Sequence, residues 1–337
     1  MKNGLLISLL LLSSGCSSRE ATPAQATEVR IPRGAGGVGF LPLLMMEKFQ
    51  LVEKHVREAG LEKLKVQWIE LGGPSVMNDA LLSGSVDYIA AGPPAFLILW
   101  DKTQSTMPVK GVAAMTSLPM YLNTTAPQMK KLDDVTDKDK IALTAIKVSI
   151  PAIVMQMYAR QHYGEGQAMR FDKYTVSMTH PDGVVALLGG SGAIDAHFTS
   201  PPFHQRERKD PKVHTVMTTN DVMGGPATFT MLSTTSKFRE QNPKIYAAVL
   251  KALDEANAMI VADRKKAAET LLGSTTESGF SLDEILTVLN DPDIRFTTTP
   301  ESVMKYAEFM RSIHSIEHVP MSWKDLFFPE IHEKAGS

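Results

Sequence analysis

One device recurs three times in the first third of the chain and restricts the fold more than any other feature. A short apolar run meets a glycine-bearing turn, and helical periodicity follows at once. Val29–Ile31 leads into Arg33-Gly-Ala-Gly-Gly-Val-Gly39 and a helix expected from about Phe40 to Ala59. Val66–Glu70 leads into Gly72-Gly-Pro-Ser75 and a helix to Leu82. Val86–Ala91 leads into Gly92-Pro-Pro94 and a helix to about Lys102, after which Val109–Met115 reads as a fourth strand. Strands alternating with helices predict an α/β fold. Glycine turns are also the ordinary way such domains join strand to helix, so a single one carries little. Three of them place three helix N-termini at the carboxyl ends of strands, where open α/β sheets bind ligands. Unpaired amide groups and partial positive charge at those termini can hold an anion without lysine or arginine.

A second α/β unit follows. Strands are expected at Ile141–Thr144, Tyr174–Met178, Ile194–Phe198 and Val213–Thr218, with a helix over 150–162 and a short one over 183–188. Gly224–Ser233 reads as a strand returning to the first unit, and helices at 243–262, 265–273, 281–289 and 300–313 pad it. Pro243 and Pro300 suit helix starts, and Ser281 with Glu284 forms a capping box. The organisation predicted is two lobes, 29–118 with 232–337 and the inserted 119–231. Two connecting segments imply a hinge and a cleft.

The 337 residues suit about two domains, and 43% hydrophobic with 21% charged residues is ordinary globular composition. A net charge of −2 provides no basic field for nucleic acid. The single cysteine, Cys16, excludes a disulfide framework, a cysteine-based zinc site and an iron–sulfur cluster. The apolar run Leu5–Leu12 is too short to cross a bilayer but fits the core of an export signal. Residues 1–16 read as a lipoprotein-type signal ending on a lipidated Cys16, and 17–28 as a flexible tether; a plain secretory signal cut slightly later is the alternative. The expected location is periplasmic, held to a membrane by lipid, or soluble there.

The loops resemble those of periplasmic substrate-binding proteins of the nitrate/sulfonate/taurine ABC importer class. The segments carrying this are Gly39-Phe-Leu-Pro42, Gly72-Gly-Pro-Ser-Val-Met-Asn-Asp-Ala-Leu-Leu-Ser-Gly84, Val86-Asp-Tyr-Ile-Ala-Ala-Gly-Pro-Pro94, Lys147-Val-Ser149, His180-Pro-Asp182, Asp195-Ala-His-Phe198 with Ser200-Pro-Pro202, and Gly224-Gly-Pro-Ala-Thr228. The resemblance implies a two-lobed type II binding-protein fold, a monomer, and partnership with a permease and an ATPase. It places Gly37, Phe40, Gly73, Ser75 and Gly92 around the ligand from the first lobe. Lys147, Ser149, His180, His197 and Thr228 would complete the site, with Phe40, and Trp100 or Phe203, as an apolar wall.

Each candidate also has a plain structural role open to it. Lys147 could pair with an anionic head group or be a solvated lysine; Ser149 and Ser75 could bind ligand or cap helices. Histidines 180, 197, 204 and 214 raise a divalent-metal carrier as an alternative, yet their spacing matches no compact ligand motif. No Gly-x-Ser-x-Gly, Walker or His-Glu-x-x-His motif occurs, and no cofactor or catalysis is expected. The ligand expected is a small organic anion, an aliphatic sulfonate or taurine-like compound before nitrate. A sensor that binds without transport would use the same chemistry.

Overall fold

The computed structural model describes residues 26–274 and 279–337. Cys16, the signal 1–16 and most of the tether lie outside the described residues. The first lobe begins with β1 (Glu28–Pro32), α1 (Leu41–Lys48), α2 (Leu51–Glu58), β2 (Lys65–Ile69), α3 (Pro74–Leu82), β3 (Tyr88–Ala91), α4 (Pro93–Thr103) and β4 (Val109–Ser117). The second holds β5 (Tyr121–Thr124), β6 (Ile141–Leu143), α5 (Ile150–Tyr163), β7 (Thr175–Ser177), α6 (His180–Leu188), β8 (Ala196–Thr199), α7 (Phe203–Glu207), β9 (His214–Thr218) and α8 (Thr219–Met223). The chain then returns as β10 (Thr228–Thr235). It ends with α9 (Ser236–Gln241), α10 (Pro243–Ala262), α11 (Arg264–Leu272), α12 (Leu282–Leu289), β11 (Arg295–Phe296), α13 (Val303–Ser312) and α14 (Trp323–Leu326). None of the described helices is long and apolar enough to cross a membrane.

The sheet of the first lobe runs β11-β4-β10-β3, and the parallel pair β1-β2 continues it. The join is made by Arg30 and Asp87, whose backbones and side chains bond each other and close a 2.8 Å ion pair. The second sheet runs β7-β6-β8-β5-β9. Every residue of β10 is buried, so the strand reads as an unbroken Thr/Phe/Met/Leu run without alternation. Thr228 already pairs with Ser117, four residues ahead of the crossover expected at 232. In the first sheet β10 runs antiparallel to β4 and β3, and in the second β5 runs antiparallel to β8 and β9. These follow the two crossings between lobes, 118–120 and 224–227, so the fold is a two-lobed α/β architecture with one lobe inserted in the other.

The helix expected over 40–59 is two helices. Gln50 adopts a left-handed conformation with φ 51° between them, and α2 then packs its buried Leu51, Val52 and Val56 toward α10. Strand β5 has no counterpart in the sequence reading. It is four residues long and carries the buried polar Asn123 and Thr124, so neither alternation nor an apolar run announces it.

Candidate solute-binding cleft

The three glycine turns of the first lobe all face the second. A side chain at Gly37 would start 3.3 Å from the Pro201 carbonyl and the Phe203 ring. One at Gly73 would start 3.6 Å from the Thr144 carbonyl, and one at Gly92 only 2.8 Å from Cδ1 of Ile150. Gly92 has φ −75°, a conformation open to any residue. Its glycine is therefore a matter of space, because the missing side chain lets Ile150 settle against the opposite lobe.

Between these contacts lies a narrow cleft at the lobe seam, the kind of concave, mostly apolar place where small solutes bind. From the first lobe come Ala35, Phe40, Gly73, Met77, Gly92 and Phe229, and from the second Thr144, Val148, Ser149, Ile150 and His180. Of the ten residues expected at the site, Phe40, Gly73, Gly92, Ser149 and His180 line it. Gly37 sits beside it on the seam. Ser75 is exposed one residue into α3. Lys147 is an exposed, left-handed residue (φ 67°) whose charge acts on Asp172. His197 is fully buried behind His180. Thr228 is tied to Glu301, whose amide it accepts from at 2.8 Å. Neither Trp100 nor Phe203 is part of the wall.

Met77, Thr144, Val148, Phe229 and Thr230 were not expected. Met77 follows its turn by one helical step, and helical phase was the available signal for it. Phe229 and Thr230 come from β10, whose unbroken apolar run hides which face is turned inward.

The chemistry of the lining is unusual for an anion site. No lysine or arginine is among the described lining residues. Four helices, α3, α4, α5 and α6, begin at the cleft, at Gly73, Gly92, Ser149 and His180. Their dipoles favour negative charge there. Yet Pro74, Pro93, Pro94, Pro151 and Pro181 occupy first-turn positions, and each lacks an N–H. Hydroxyl donors are scarce too. Ser149 donates its one proton to the Ala145 carbonyl at 2.7 Å and accepts from the Ala152 amide, so the capping role is the one it fills. Thr230 donates to the Gly39 carbonyl at 2.7 Å. Among the described lining side chains, Thr144 Oγ1 and His180 Nε2 are left to meet a ligand.

His180 is held from behind. Its Nδ1 lies 3.3 Å from Nε2 of His197 and 3.2 Å from the Thr199 hydroxyl. His197 Nδ1 lies 2.6 Å from Oε1 of Glu207, whose Oε2 accepts from Asn123 at 2.7 Å. His197, Glu207 and Asn123 are all fully buried. Burial pushes the His180 imidazole well below its usual range, reinforced by the neighbouring His197. His204, stacked on Tyr121 at 3.7 Å, is pushed down to about 4 by burial and then by Arg208, so both are neutral at pH 7. His204 bonds Asn123 and His214 bonds the Met129 carbonyl; among the described residues no group of three or more His, Cys, Asp or Glu is placed to hold a metal ion.

The packing around His197 is tight. A Cβ at Gly183 would fall 2.5 Å from its ring. Alanine for glycine inside a helix ordinarily adds roughly 0.5–1 kcal/mol of stability. At Gly183 the overlap reverses the sign: Gly183→Ala is expected to cost about 1–3 kcal/mol, read as a lower urea midpoint at unchanged slope.

No protein-family model matches the chain, and no curated protein matches its sequence. Solved structures do. The alkanesulfonate-binding protein SsuA of Xanthomonas axonopodis pv. citri, bound to MOPS, superposes with a TM-score of 0.66 at 17% identity, covering 88% of this chain and 96% of that one. The periplasmic aliphatic sulphonate binding protein SsuA of Escherichia coli gives 0.62 at 17%, covering 90% and 98%. The chain has the periplasmic-binding-protein fold. The ligand-binding component of an ABC-type import system from Staphylococcus aureus, with zinc bound, shares that fold at 0.63 and 16%, covering 93% and 99%. Proteins of this one fold thus carry ligands as different as MOPS and zinc, and the solute has to be argued from the lining of this cleft.

Proposed function

We propose that the protein is the extracytoplasmic solute-binding component of an ABC importer, and that it captures a small aliphatic sulfonate between its lobes. The observation that carries this reading is the convergence of four helix N-termini and His180 on an otherwise apolar cleft without lysine or arginine. The helix ends favour a compact anionic head, and His180 lines the cleft where that head would sit. Phe40, Met77, Val148 and Phe229 offer an apolar body its wall. Nitrate would leave that wall empty. Taurine would bring an ammonium group for which no aspartate or glutamate stands among the described lining residues, so the unsubstituted alkyl chain fits better.

Ligand contacts to both lobes favour the closed arrangement over the open one, and the binding energy difference sets the shift. Delivery goes to a permease and its ATPase, and the protein works as a monomeric carrier, not an enzyme. The proposed location is the periplasm, with Cys16 carrying the lipid that holds it at a membrane. A binding protein of this kind in the two SsuA structures supports the class of solute.

The experiment is calorimetry with linear alkanesulfonates, carboxylates, nitrate and zinc. Each added methylene is worth about 0.8 kcal/mol while the wall still accepts it, or roughly fourfold in Kd. Affinity should therefore climb from methanesulfonate to butanesulfonate by more than an order of magnitude. Zinc binding with no response to any sulfonate would replace this reading with the metal carrier.

A further inference from the structure

Resting on that reading, we propose that the anion enters together with one proton, and that His197 and Glu207 decide that the cleft presents a donor. The hydrogen-bond valence of the array fixes where its protons sit. Glu207 is an acceptor only when ionised. It accepts from Asn123 through Oε2 and from His197 Nδ1 through Oε1. With His197 neutral, its Nε2 is a lone pair and takes the Nδ1 proton of His180. His180 Nε2 is then a lone pair as well, which repels an anionic head.

For His180 to donate to an anion, a proton must arrive at its Nε2 from the cleft. Its Nδ1 proton then passes to His197 Nε2. The bond count balances: one N–H forms on His180 Nε2, one moves between the rings, and the charge of the array rises by one. His180 ends neutral, in keeping with its burial beside His197, and the charge rests on His197 against the Glu207 carboxylate. The vacated Nδ1 then accepts from the new His197 Nε2–H, with the Thr199 hydroxyl 3.2 Å away. His197 and Glu207 are positioning residues, acting on the ligand only through His180.

The other titratable groups around the array do not supply this proton. Strand β6 offers only Ile141, Ala142 and Leu143. From α7 and its end come His204, Arg206 and Arg208, and His204 is held neutral by burial. Tyr121 on β5 is pushed up to about 12 by burial and by Asp291 and Asp293. Asp182, on α6 itself, is exposed and bonded to Thr179.

The probe is butanesulfonate, whose own charge is constant through neutral pH, titrated from about pH 5.5 to about pH 9, a range that brackets histidine. Proton uptake on binding makes Kd rise with pH, with a limiting slope of tenfold per unit on the alkaline side. Glu207→Gln should flatten the profile. The glutamine can accept from Asn123 through Oε1 and donate through Nε2 to His197 Nδ1, which turns His197 Nε2 and His180 Nε2 into donors without any added proton. A flat profile in the wild-type protein overturns the proposal alone, as does the same slope in Glu207→Gln. No binding of butanesulfonate at any pH overturns the reading of the solute, and the proposal with it.

Discussion

Replacing Gly92 with valine will weaken butanesulfonate binding by about 5- to 150-fold, the equivalent of roughly 1–3 kcal/mol of overpacking. The valine fits the extended backbone of Gly92 (φ −75°, ψ 159°), so the turn itself is not strained. The conflict lies across the lobe seam, where the new Cβ would meet Cδ1 and Cγ1 of Ile150 at 2.8 and 3.0 Å. A second, milder contact at 3.1 Å to the Phe229 carbonyl lies within the first lobe. Opening the lobes relieves the first and not the second, so the main cost falls on the closed, ligand-holding arrangement. A double-mutant cycle separates them. Ile150→Ala removes the clashing atoms, and Gly92→Val in that background should recover most of the lost affinity. Equal losses in both backgrounds would show that the valine acts inside its own lobe.

The second large effect concerns stability. His197→Leu will cost about 3–5 kcal/mol, because it strands the Glu207 carboxylate in a site with no access to water. Asn123 remains as a partner at 2.7 Å, one bond for a charge that had two. The double variant His197→Leu/Glu207→Leu should be more stable than His197→Leu alone, since it removes the buried charge and not only its partner. Urea unfolding of the two variants reads the comparison. A single variant as stable as the wild type would mean that His197 and Glu207 are not coupled in the folded protein.

The turns were legible because glycine and proline act locally. Gly37, Gly73 and Gly92 each stand between a strand and a helix, and their alignment along one seam follows from the strand order. The long C-terminal helix 243–262 was legible for the same reason, with Pro243 at its start and uninterrupted periodicity behind it. What the chain hid depends on contacts far apart in sequence. Asn123 looks like a loop residue until Glu207, 84 positions on, is seen to complete it. His197 sits in an apolar strand segment, and nothing local reveals that it stands behind His180 and in front of Glu207. Ser149 shows the opposite case: its pattern fits a helix cap somewhat better than a ligand contact, and the single hydroxyl proton is committed to Ala145.

In the proposed cycle the solute is trapped between the two lobes. Spin labels at Leu82 on the first lobe and Val185 on the second, both exposed in the structure, report the opening directly by pulsed electron resonance. Saturating butanesulfonate should collapse the distance distribution onto one short, narrow population. Saturation shown by calorimetry on the labelled protein, with the distribution left broad and unmoved, would contradict it.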